Sequence, residues 1–197
     1  NPGAIDLSIG QPEFAVPMPI KQAAAEAIMA DRNGYTQNPG LPELLKDLGE
    51  HLKADVGWTA GDAIGTSIET GLMVTSGTSG ALLLACLACL SPGDEIIIPD
   101  PYFVLYNYLG PMCGGRTVRC DTHPDLRMTA ERVEPLITER TKIVLFNSPG
   151  NPSGVVAPER DCREMLELCR RKNVLLVCDE IYDELTFSEA CTEATAD

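Results

Sequence analysis

The sequence predicts an α/β fold in which a mostly parallel sheet is flanked by helices, and three observations carry that prediction. From about Met73 onward, short β-rich runs alternate with amphipathic helical stretches. A turn made of Thr, Ser and Gly joins the first of these strands to a helix. A late strand rich in Leu and Val runs directly into two acids, Asp179 and Glu180.

Taken in order, the chain opens differently. It is Pro-rich as far as Pro19, then offers an Ala-rich helix over 20–31 and a second helix over 41–54. These read as an arm followed by packing helices, and residues 55–71 form a connector containing Gly and Thr. Strands are expected at 73–75, 95–98, 116–120, 142–147 and 174–178, with helices over 79–90, 102–109, 129–137 and 158–172. The last helix begins at Pro158, whose fixed φ suits a first turn, and ends on Arg170-Arg171-Lys172, cations that suit the negative end of a helix. The expected division is 1–55 and 56–197.

Composition excludes several functions. With 44% hydrophobic residues over 197 positions the chain can bury a substantial core. A net charge of -14 without a Lys/Arg cluster argues against a nucleic-acid partner, because phosphate backbones are bound through grouped cations. The longest apolar run, 81–90, is too short to cross a bilayer, and no membrane association is expected. The N-terminus shows neither an export signal nor a Met, so the numbered chain is expected to start inside a longer protein. The eight cysteines are scattered through helices and strands rather than arranged as a disulfide framework. They read as reduced, buried thiols of a cytoplasmic protein. A zinc site at Cys86-Leu87-Ala88-Cys89 would need a second pair or nearby histidines, and the only histidines are His51 and His123, so no metal is expected.

Three segments carry chemistry. In Thr75-Ser76-Gly77-Thr78-Ser79-Gly80, small residues stand where a strand turns into a helix. The unpaired amides of a first helical turn form a natural phosphate site, although a plain capped turn has the same composition. The segment matches neither the dinucleotide glycine pattern nor a P-loop, since no Lys follows Gly80. Asn147-Ser148-Pro149-Gly150-Asn151-Pro152-Ser153-Gly154 makes a rigid turn at the carboxyl edge of the sheet, where ligands of open α/β sheets bind. Asp179 either favours the start of a following helix or pairs with a protonated ring nitrogen, with Tyr182 within reach of a ring oxygen.

The order of these three segments resembles the signature of fold-type I, pyridoxal-phosphate (PLP)-dependent aminotransferases of class I and II. Leu7-Ser8-Ile9-Gly10-Gln11-Pro12-Glu13-Phe14, and Gly34-Tyr35-Thr36 with Gly40, are similar to the family's early segments. The resemblance runs across nearly all of the chain, while the chain covers only about half of a typical member. It implies an aspartate aminotransferase-like large domain, incomplete, over 56–197, with 1–55 contributing an arm and helices to a small domain.

It further implies that Gly77, Thr78 and Ser79 hold the PLP phosphate and that Phe103 stacks on the ring, although Tyr102 and Phe103 read equally well as core aromatics. Asn151 and Tyr182 would bond the phenolic oxygen, and Asp179 would keep the ring nitrogen protonated. The cationic ring then accepts the electron pair left when an amino acid loses its α-proton. Gly10 and Asn151 are the implied substrate-side positions, and Tyr35 would reach the phosphate of a neighbouring subunit in a homodimer. Leu44-Leu45 replaces the family's frequent Leu-Arg, a minor departure.

The larger departure is the Schiff-base lysine, which in the family lies well beyond the aspartate. Lys21, Lys46, Lys53, Lys142 and Lys172 all precede Asp179, and the family's carboxylate-binding arginine is missing too. No catalytic residue is therefore assigned, and the chain alone is expected to be inactive. Two strands of the family's sheet would also be missing between 73–75 and 174–178, so residues 1–197 alone are expected to be unstable or prone to aggregate. The expected activity of the whole protein is amino-group exchange between an α-amino acid and a 2-oxo acid. The alternatives are another PLP reaction on the same fold (C–S lyase, decarboxylase or racemase), a non-catalytic PLP-binding regulatory domain, or an α/β domain for a different phosphorylated ligand.

Overall fold

A computed structural model describes residues 14–57 and 71–186. The chain divides into two compact units, Asn1–Met73 and Val74–Asp197. In the first, α1 spans Met18–Met29 and α2 spans Pro42–Val56. A proline occupies the first turn of each helix, where its missing N–H costs nothing. Helix α2 carries Glu43 in its first turn and Lys53 in its last, and ends on Gly57 with φ of 68°, the left-handed conformation glycine adopts without strain. Neither helix buries a residue among those described, and Met18, Ile20, Ile28 and Leu44 are all exposed.

The second unit is the sheet domain. In chain order it comprises α3 (Gly77–Cys89), β1 (Glu95–Asp100), α4 (Tyr106–Met112), β2 (Arg116–Asp121), α5 (Ala130–Val133) with a 3-10 turn at Glu134–Leu136, β3 (Thr141–Asn147), α6 (Glu159–Lys172) and β4 (Leu175–Asp179). The four strands are parallel in the order β2-β1-β3-β4. The side-chain alternation of the strands sends residues to two separate cores. Ile97, Val144 and Phe146 pack with Val133, Met165 and Leu168 beneath α5 and α6, while Ile96, Ile98, Ile143 and Leu145 pack with Leu82, Cys86, Tyr106 and Leu109 beneath α3 and α4. Both faces of the sheet are covered, which explains why β1 reads as an unbroken Ile run rather than an alternating one.

Two local devices hold this arrangement. Glu95, 1% exposed at the start of β1, accepts hydrogen bonds from Arg116 Nε (2.9 Å) on β2, Thr138 Oγ1 (2.6 Å), and Thr141 Oγ1 (3.2 Å) on β3, so one carboxylate ties three strands at their amino ends. Gly110 lets α4 lie directly on β2: a Cβ there would stand 2.6 Å from the carbonyl carbon of Arg116.

The structure departs from the sequence expectations in three places. Residues 71–75 form no strand, because no strand lies beside them among the described residues and a strand exists only as part of a ladder. The helix expected over 102–109 begins four residues later, at Tyr106, after an irregular stretch that follows Pro101. The cysteines are not uniformly buried. Cys86, Cys120 and Cys169 are, but Cys89, Cys162 and Cys178 are exposed, on the outward side of α3, the first turn of α6 and the edge strand β4.

Candidate active site

The carboxyl ends of β3 and β4 form the floor of the site. Asn147 and Asp179, the last residues of the two strands, are paired in register, which places the turn after β3 beside the Asp179 backbone. Asp179 is only 5% exposed, so its carboxylate requires partners. Oδ2 accepts a 2.7 Å hydrogen bond from the Tyr106 hydroxyl, and Oδ1 accepts one from the Ile181 N–H at 3.3 Å. Burial, and then the Asp179 carboxylate, push the Tyr106 phenol far above its ordinary range, so it remains a donor.

Across the site, Asn151 Nδ2 lies 3.2 Å from the Tyr182 hydroxyl. Phe103 meets Tyr106 edge-on, ring centroids 5.6 Å apart. Helix α3 begins at the rim of the same cavity. Gly77 takes φ of 69°, its N–H bonds Thr75 O at 2.8 Å, and Thr75 Oγ1 donates to Gly77 O at 2.8 Å. Ser76, the N-cap residue, makes no side-chain capping bond, so the first-turn amides of α3 are left for a ligand.

Thr78, Ser79, Phe103, Asn151, Asp179 and Tyr182, singled out from sequence, line one open cavity of about 150 Å³ together with Tyr106 and Ile181. Gly77 stands behind this lining as the left-handed entry to α3. Tyr35 belongs to the other unit and is fully exposed, and Gly10 lies outside the described residues. Sequence reasoning missed Tyr106. The available signal was its position three residues after Phe103 within the helix expected over 102–109.

The donor set matches one class of ligand: a phosphorylated, flat, cationic heterocycle. A helix N-terminus suits the phosphate, a buried carboxylate suits a protonated ring nitrogen, an amide and a phenol suit a ring oxygen, and an aromatic side chain flanks the ring. PLP has all four features, so the residues present fit that cofactor. Among the described residues no lysine lines the cavity, and no cluster of His, Cys, Asp and Glu could hold a metal ion.

Fold and site together define an α/β domain of the PLP-dependent transferase type. Comparison with known proteins gives the family: residues 2–196 match the model for "Aminotransferase class I and II", and the chain belongs to that family. It is 38% identical over 186 residues to the aspartate aminotransferase of Rhizobium meliloti, covering 93% of this chain and 44% of that protein. A probable N-acetyl-LL-diaminopimelate aminotransferase of Bacillus subtilis is 36% identical, with 93% and 45% covered. Among solved structures, the R. meliloti aspartate aminotransferase superposes with a TM-score of 0.82 at 37% identity, over 92% of this chain and 44% of that one. The aromatic aminotransferase of Pyrococcus horikoshii gives 0.87 at 30% identity, over 96% and 50%. The chain spans about half the length of the curated relatives it matches. No described helix is long and apolar enough to cross a membrane.

Proposed function

We propose that residues 1–197 form the cofactor-binding part of a PLP-dependent aminotransferase that exchanges an amino group between an α-amino acid and a 2-oxo acid. The observation that carries this reading is the convergence of Asp179, Asn151, Tyr182 and the start of α3 on one cavity. When bound, PLP supplies an electron sink for the pair released at the amino acid's α-carbon. The chain's own residues hold and orient it. Thr78 and Ser79 bind the phosphate through first-turn amides and hydroxyls, and Gly77 lets the backbone turn tightly enough to present them. Asp179 holds a proton on the ring nitrogen, with Tyr106 fixing the direction of the carboxylate. Asn151 and Tyr182 donate to the ring oxygen, Asn151 also faces the substrate, and Phe103 excludes water from one side of the ring.

We also propose a homodimer in which Tyr35, fully exposed here, reaches the partner's phosphate, and in which Gly10 lies near the substrate carboxylate. The small-domain contribution of 1–55 and a cytoplasmic location complete the proposal. The latter is supported by seven described cysteines that are all free thiols.

Titration of PLP into the apo form of the whole enzyme tests the site. Saturable binding that weakens roughly a hundredfold in Asp179→Ala, equivalent to losing a buried charge-assisted bond, is expected. Equal affinity of the two proteins would remove the basis of the proposal. In the whole enzyme, keto-acid formation that depends on a 2-oxo acid acceptor marks transfer, and formation without one marks a lyase.

A further inference from the structure

Asn147 does not line the cavity, yet its side chain touches the backbone of two residues that do. Its Nδ2 donates to Asp179 O at 2.8 Å and to Pro149 O at 3.2 Å, and its Oδ1 accepts from the Asn151 N–H at 2.8 Å. The neighbouring Ser148 N–H adds a second bond to Asp179 O at 3.2 Å. A carboxamide has two donors and an acceptor, and here all of them bind main chain. The link is rigid because Asn147 also sits in the β3–β4 ladder opposite Asp179. No other described side chain bonds the backbone of both residues.

We propose that Asn147 is a positioning residue that fixes the spacing between the Asp179 carboxylate and the Asn151 amide, and thereby the tilt at which the cavity holds a pyridine-type cofactor. The inference rests on the cofactor reading given under Proposed function. It predicts that losing the donor half of the amide alone is enough to disturb that spacing. Asn147→Asp keeps an oxygen for the Asn151 N–H but turns lone pairs toward the carbonyls of Asp179 and Pro149. The change removes both donated bonds, to the end of β4 and to Pro149 in the turn, and keeps only the bond from Asn151 N–H.

The test is PLP titration of the apo form of the whole enzyme and of its Asn147→Asp, Asn147→Ala and Asp179→Ala variants, read by affinity and by circular dichroism in the cofactor's absorption band per mole bound. Loss of folded protein lowers the number of sites but leaves the dichroism of each bound ring unchanged, whereas a change in ring tilt alters it. Asn147→Asp and Asn147→Ala are each expected to bind roughly tenfold more weakly, as when one hydrogen bond to a fixed partner is lost. Both are expected to show altered dichroism per bound cofactor. Wild-type affinity with unchanged dichroism in either folded variant overturns the proposal. So does failure of both variants to fold, which would make Asn147 a determinant of the fold instead. Binding that requires Asp179 but ignores Asn147 removes this inference alone, whereas a wild-type enzyme that does not bind PLP removes the cofactor reading and this inference with it.

Discussion

Replacing Tyr106 with Phe removes one oxygen atom and almost no volume, so its consequences isolate the hydrogen bond to Asp179. Tyr106 is 1% exposed and Asp179 5%, and their oxygens are 2.7 Å apart. The remaining bond to the carboxylate, from Ile181 N, goes to the other oxygen. A hydrogen bond to a charged group contributes about 1.5–3 kcal/mol, so Tyr106→Phe should destabilise the sheet unit by about 2 kcal/mol. The test is a double-mutant cycle with Asp179→Ala, followed by urea denaturation. In the Asp179→Ala background the phenol has lost its acceptor, and Tyr106→Phe should then cost about 0.5 kcal/mol or less, leaving a coupling energy of about 1.5 kcal/mol. If the two substitutions add without coupling, the bond does not hold Asp179 in place, and the orientation assigned to its carboxylate fails.

Other parts of the sheet unit give predictions of the same kind. Burial pushes the Glu95 carboxyl up, but the donors Thr138, Arg116 and Thr141 outweigh it and hold the group below its ordinary value of 4.5. A folded-state value below the unfolded one means that this contribution to stability is complete above pH 4.5 and is lost as pH falls through the folded value. Glu95→Gln should therefore flatten the acid limb of a stability-versus-pH curve, and an unchanged slope would contradict the linkage. Arg116→Ala, which removes a largely exposed guanidinium and leaves that carboxylate to two hydroxyl donors, should cost about 1 kcal/mol in denaturant melts. Gly110→Ala forces a methyl against the Arg116 carbonyl and should cost about 3 kcal/mol by overpacking, and a neutral result would show that α4 can shift on β2. Burial raises the Cys86, Cys120 and Cys169 thiols to about 11, so these three should resist thiol reagents until urea unfolds the chain, while exposed Cys89 reacts at once.

The parts of the fold legible in the sequence were those with a strong local signal. Runs such as Glu95-Ile96-Ile97-Ile98 and Lys142 to Asn147, together with the strongly amphipathic α6, have periods that tertiary context did not overturn. Residues 73–75 have the composition of a strand but no ladder partner among the described residues, and strand formation depends on partners that composition does not reveal. The late start of α4 was not legible either, because Val104 and Leu105 form a turn, closed by the Tyr106 N–H on Phe103 O, before the helix begins.

In the site, Thr78, Asn151 and Asp179 were legible because glycine, proline and paired acids mark strand ends. Tyr106 and Asn147 were not, because each acts through bonds to residues distant in sequence: Tyr106 to a carboxylate 73 positions on, and Asn147 to a backbone carbonyl 32 positions on. Such pairings arise from register and sheet order, which single residues do not encode.

The central claim is that Asp179 keeps a bound pyridine ring protonated while α3 holds its phosphate. Nitrogen-15 spectroscopy of ring-labelled PLP bound to the chain tests that claim most directly. A pyridinium signal in the wild type that becomes a neutral pyridine signal in Asp179→Ala is the predicted result, and a neutral ring nitrogen in the wild type would contradict the account.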